Sequence, residues 1–201
     1  MYPNHLSVAR KLIETSNNPE FFHLAYDQKL EDGTIVHQLN NFADSIQKII
    51  LFDNKLSCNG VFLRKDIASQ FPFHEDRVLA SSEDWELWIR LISRFRLHYS
   101  NEITSSVVNH DQRSLFTIDP EKIVARDLLL VKKLRDDSTV MRTYGRSFKR
   151  FVAERYTFFM LRFAEERRKA EVLEWGKRAI MIFPLIIINK RFLASVKNSI
   201  L

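Results

Sequence analysis

From Asp119 onward the pattern of apolar residues is helical throughout, a rhythm that lets a helix bury one continuous face. Helices are expected over about residues 120–135, 139–165, 167–182 and 189–200, with breaks near Asp136-Asp137, Gly145 and Pro184. Upstream the rhythm alternates. Residues 3–16 open with Pro3, carry Leu6, Ala9, Leu12 and Ile13 at helical spacing, and end at Asn17, Asn18 and Pro19. "EFFHLAYDQKL" and "TIVHQL" read as two strands around Asp32-Gly33, a strong hairpin signal. Residues 42–52 return to helical spacing. "CNGVFLRKD" (58–66) reads as a short buried strand whose Gly60 suits a close backbone approach. A loop, "PFHEDRVLASS", leads into a helix over "SSEDWELWIRLISRF", and "FRLHYS" and "EITSSVVNH" read as two further strands. The expected fold is therefore mixed α/β: a partial sheet with flanking helices over residues 1–118, followed by an all-helical segment over 119–201.

Charge follows the same division. Residues 1–119 hold 12 Lys+Arg against 16 Asp+Glu, net −4, whereas residues 120–201 hold 19 against 9, net +10. A basic helical tail can face nucleic acid, anionic lipid or an acidic protein, or be a solvated surface, and charge alone does not choose. With 45% hydrophobic residues, four glycines and five prolines, the chain is not of disordered composition. Cys58 is the single cysteine, which excludes a disulfide framework or multi-cysteine metal site and fits a reducing compartment. "MYPNH" lacks the basic-then-apolar layout of a secretory signal, so a cytoplasmic location is expected. "AIMIFPLIII" (179–188), flanked by Lys177-Arg178 and Lys190-Arg191, is about half the length needed to span a bilayer as a helix; it suits either a helix in a membrane interface or one packed on the domain.

Glu83 and Asp84 stand before an apolar run with two tryptophans. Ser81-x-x-Asp84 matches the spacing of a capping box, and acids there suit the positive end of a helix dipole. Trp85, Trp88, Ile92 and Phe95 would then form a buried stripe.

Set in order, "LSCNGVFLRKD", "FPFHEDRVLASSEDWELWIRL" and "SSVVNHDQRS" resemble the acceptor-side half of a family-2 glycosyltransferase of the GT-A fold. The residues that carry the likeness are Arg64; Glu83, Asp84 and Trp85; Leu87, Arg90 and Leu91; and His110 with Ser114, and "MYPNHL" is similar to the segment that follows the family's Asp-x-Asp motif. The likeness covers about residues 1–115. It implies an inverting transfer of sugar from a nucleotide-sugar donor to a saccharide or lipid-linked acceptor, in cell-surface polysaccharide or glycolipid synthesis. Asp84 would be the base that takes the acceptor proton, needing only its ordinary ionisation at neutral pH, and Glu83 would position the acceptor or cap the helix. Trp85 would offer a platform to a sugar face or pack in the core. Asn59 and Gly60 would border the donor sugar, Arg113 would pair with a phosphate, and His110 would lie by the diphosphate and ligate a divalent cation, Mn or Mg. Cys58 is read as a small packing residue.

The family's first half, with its nucleotide-binding region and Asp-x-Asp metal site, has no counterpart in these 201 residues. The chain alone is expected to be inactive, and its central strand to present an uncovered edge that invites self-association. The likeness involves no nucleic acid; it places the basic tail at the inner face of the plasma membrane, against anionic lipid. The alternative is a noncatalytic module whose basic helices bind nucleic acid or an acidic partner, although the Lys and Arg residues do not form one stripe.

Overall fold

A computed structural model describes residues 1–109 and 119–200, with the side chain of Ile200 left out. The chain divides into two compact units, one made of Met1–Glu75 with the segment that begins at Glu83, the other of Asp76–Ser82 with the described segment from Asp119 onward. The fold is mixed α/β.

In the first unit, α1 (His5–Thr15) is followed by the hairpin strands β1 (Phe21–Leu30) and β2 (Ile35–Leu39), then α2 (Ile46–Ile49), β3 (Val61–Leu63), α3 (Lys65–Gln70), α4 (Glu83–Ile92) and β4 (His98–Asn109). The hairpin turns where Gly33 takes φ +86°. Asp32 accepts the Thr34 N–H at 2.8 Å. β1 is the middle of the sheet: β4 pairs with it in parallel along one edge, and β3 and β2 divide the other edge antiparallel, at residues 21–23 and 26–29. Phe21 to Asp27 are all buried, as a strand covered on both faces requires. The central strand therefore has no uncovered edge, contrary to expectation; among the described residues β4 lies at the border of the sheet. α1 lies along β4 through a Tyr2 N–H bond to the Thr104 carbonyl at 2.8 Å, and Val8 and Ala9 pack on Phe22 and Leu24.

Three local expectations fail for identifiable reasons. The stretch 42–52 is helical only at α2, because the Asn101 carboxamide accepts the Phe42 N–H at 2.8 Å and donates to its carbonyl at 3.3 Å, holding that backbone out of a helix. The two strands read after the tryptophan helix are one strand, β4, with irregularities opposite Leu24, Ala25 and Tyr26 that absorb the polar Asn101-Glu102 pair. The strand read over 58–66 is only β3, and α3 follows it at once.

The second unit comprises α5 (Pro120–Asp136), α6 (Ser138–Glu165), α7 (Lys169–Ile182), a 3-10 turn (Pro184–Ile188) and α8 (Lys190–Ile200), joined by the turn Arg77–Leu79. Asp119 and Asp137 cap α5 and α6, accepting the Glu121 and Thr139 N–H groups at 2.8 and 2.9 Å. α6 runs unbroken through Gly145. A glycine there costs about 1 kcal/mol, less than the helix gains by burying Tyr144, Phe148, Phe151 and Val152. Asp127, fully buried, accepts from Arg126 at 2.9 Å and Arg155 at 2.8 Å. Among the described residues no helix is long and apolar enough to cross a membrane.

Candidate active site

α4 begins at Glu83, so Asp84 lies in the first turn, one position short of a capping box with Ser81. Ser81 itself takes φ +73°. Trp85, Leu87, Trp88, Leu91 and Ile92 are all buried, which anchors the helix rigidly. Arg90, in the Leu-x-x-Arg-Leu pattern, ties α4 down by bonding Glu86 at 2.9 Å and the Pro72 carbonyl at 2.8 Å.

A loop over residues 50–60 is strapped to this helix and to β1. The Trp85 indole N–H donates to the Ile50 carbonyl at 2.6 Å. The Asn54 amide donates to Asp84 Oδ2 at 3.4 Å, and the Cys58 thiol points at the same oxygen at 3.8 Å. The Ser57 N–H donates to His23 Nε2 at 3.2 Å, and the Leu24 N–H to the Gly60 carbonyl at 2.9 Å. Asp84 Oδ1 accepts the Trp85 N–H at 2.6 Å. Burial raises the Asp84 carboxyl above the ordinary aspartate value; the adjacent Glu83 charge adds to the rise, and the Trp85 N–H, Asn54 and Cys58 bonds work against it. The expectation that Asp84 needs no tuning is thus corrected: its surroundings make it a stronger proton acceptor.

Burial, then the Asp84 charge, pushes the Cys58 thiol up to about 11, so it stays protonated at neutral pH. It is exposed, not the packing residue expected. Trp85 is a core residue whose indole is spent on the Ile50 carbonyl, which corrects its reading as a sugar platform. Gly60 is buried, and a Cβ there would come within 2.4 Å of the Leu24 carbonyl oxygen; its lack of a side chain serves the packing of the loop on β1, not a donor sugar. Asn59 donates to the Ser106 carbonyl on β4 at 3.3 Å. Glu83 and Asp84 share the first turn of α4. His110, Arg113 and Ser114 lie outside the described residues.

Beside the loop opens a cleft of about 470 Å³ between the β1–β2 hairpin and residues 53–55. The buried Tyr26 and Phe42 line it from within, Gln28, Gln38, Asn41 and Asn54 supply carboxamides, and His37, Leu39, Asp53 and Lys55 complete the lining. Asn54 joins the cleft to Asp84, since it lines the one and bonds the other. Sequence reasoning missed these residues. A local signal was the His37-Gln38 pair within the apolar run of β2; that Ile35 to Gln38 are all exposed is visible only in the structure. His23 was also missed. It is fully buried between Phe42 and Tyr26, and burial lowers its pKa from 6.5 to about 3. Accepting at Nε2 from Ser57, it carries its proton on Nδ1.

Among the described residues no three His, Cys, Asp or Glu side chains gather that could hold a metal ion. No family model, no curated protein and no solved structure matches the chain.

Proposed function

We propose that this chain is the acceptor-side half of an inverting glycosyltransferase of family-2, GT-A type, with Asp84 as the base and the adjoining cleft as the saccharide acceptor site. The observation that carries the reading is the Asp84 carboxylate, raised in proton affinity by burial at the start of a rigid helix and linked through Asn54 to a polar cleft. The carboxamides of the cleft match the hydroxyls of a sugar.

In the reaction, an acceptor hydroxyl oxygen forms a bond to the anomeric carbon of the donor as the bond from that carbon to the diphosphate breaks on the opposite face. The hydroxyl proton passes to Asp84, and the nucleoside diphosphate leaves with the bonding electrons. Asn54 holds Oδ2, and the Trp85 N–H holds Oδ1. The nucleotide sugar, and a divalent cation of the Mn or Mg kind, would be held by a nucleotide-binding half bearing Asp-x-Asp, for which the border strand β4 offers a place of attachment. The acceptor is a saccharide, free or lipid-linked, of a cell-surface polysaccharide or glycolipid made on the cytoplasmic side.

The test joins the chain to such a donor half and measures sugar transfer from a panel of nucleotide sugars with divalent cation. Asp84→Asn should lower kcat by about 10²- to 10⁴-fold with donor binding intact. Because burial disfavours the ionised carboxyl, the same variant should melt at a higher temperature at neutral pH, a gain that vanishes as the wild-type acid is protonated. Unchanged turnover in Asp84→Asn removes it as the base.

Against the second reading, a basic module for nucleic acid or an acidic protein, six arginines of the second unit are turned to its own acids. Arg126 and Arg155 close on Asp127, Arg150 on Glu154, Arg162 on Glu165, Arg178 on Glu174, and Arg168 on Glu121 and Glu171.

A further inference from the structure

Helices α7 and α8 and the 3-10 turn between them present large aliphatic side chains to solvent. Met181 is 74% exposed, Leu185 64%, Ile188 75% and Leu193 55%. Within the turn only Ile186 points inward, at 2% exposed, so a single anchor holds Leu185, Ile187 and Ile188 outward. Pro184 at the head of the turn fixes its backbone. A run of exposed aliphatic side chains of this size marks an interaction surface.

The charges around them identify that surface. In the sequence between Val172 and Asn198 stand five cations, Lys177, Arg178, Lys190, Arg191 and Lys197, against one acid, Glu174, which Arg178 takes. Leu185 and Ile188 also line a groove with Arg150 and Glu154 of α6, whose charges pair with each other at 2.8 Å. Lys177 lines an apolar groove of about 330 Å³ between α7 and α8 together with Met181, so a cation and an exposed thioether share one rim. On α8, Lys190, Leu193 and Lys197 are all exposed at helical spacing, the arrangement in which lysine stems lie along hydrocarbon while their ammonium groups reach phosphate.

We propose that this face docks on the interface of an anionic bilayer, with Leu185, Ile187 and Ile188 entering the acyl boundary and Lys177, Lys190 and Lys197 at the headgroup phosphates. The docking stands on the second unit alone, independent of the glycosyltransferase reading. It is peripheral, because the apolar turn is far shorter than a bilayer is thick.

The full chain should co-sediment with vesicles of phosphatidylcholine plus phosphatidylserine, and at least about 10-fold more weakly with phosphatidylcholine alone. Leu185→Ser with Ile188→Ser should lower affinity for the anionic vesicles by about 10-fold or more, with an unchanged melting curve because both sites are exposed. Lys177→Gln with Lys190→Gln should reduce binding on anionic vesicles and leave the weak binding to neutral ones unaltered. Equal binding to both vesicle types, or no binding to either, overturns the proposal. So does concentration-dependent dimerisation that the serine variant abolishes without vesicle binding, since a second copy of the chain would then be the occupant.

Discussion

His23 should make the first unit acid-labile, and the size of the effect follows from its position. Its imidazole is fully buried on β1, and its folded pKa of about 3 lies below the ordinary 6.5. A depressed folded value means that the unfolded chain accepts a proton that the folded chain refuses. The contribution is complete above about pH 6.5 and is lost as pH falls toward 3. At pH 4 the unfolded imidazole is nearly all protonated and the folded one is not, a difference of about 2.5 pH units, or roughly 3 kcal/mol. Protonation at Nε2 also removes the acceptor for the Ser57 N–H, and with it a strap on the loop that carries Asn54 and Cys58 to Asp84. The assay is urea unfolding at pH 7 and pH 4 in a Trp175→Phe background, so that Trp85 and Trp88 report on the first unit alone. His23→Gln keeps an acceptor for Ser57 and has nothing to titrate. Whatever constant amount that substitution costs in packing, its stability loss between the two pH values should be smaller than wild type by about 3 kcal/mol. Equal losses in the two proteins would show that His23 is not held neutral and would refute the reasoning.

Gly60→Ala drives a Cβ into the Leu24 carbonyl and the His23 ring, at 2.4 and 2.7 Å, and backbone cannot step aside as a long side chain can. It should cost about 2 kcal/mol or more by denaturant titration; an unchanged midpoint would mean that the loop does not sit on β1 as described. Asp127→Ala removes the buried carboxylate that Arg126 and Arg155 both bond in the second unit and should cost about 3–5 kcal/mol, read by Trp175 fluorescence. A loss under about 1 kcal/mol would show those arginines to be solvated.

The helices of the tail were legible because each carries its own signal. Asp136-Asp137 and Pro184 mark the breaks that bound them, whereas the break read at Gly145 falls inside α6. The hairpin was legible for the same reason, in Asp32-Gly33. Segments whose conformation is set by a distant partner were not. Phe42 is shaped by Asn101, 59 residues away, and the length of β4 by a bulge that only pairing with β1 reveals. In the site, the acids at the head of α4 could be found from local pattern, whereas the cleft could not, because its walls come from a hairpin and a loop brought together by the sheet.

The order of residues by itself determined the mixed α/β body, the helical tail, the division of charge and the pair of acids before α4, since periodicity, caps and charge act over a few neighbouring residues. Tertiary structure alone decided that Trp85 is core, that His23 is neutral and that Asp84 binds its proton more tightly than a free aspartate, because desolvation depends on everything packed around a group and is encoded in no stretch of sequence.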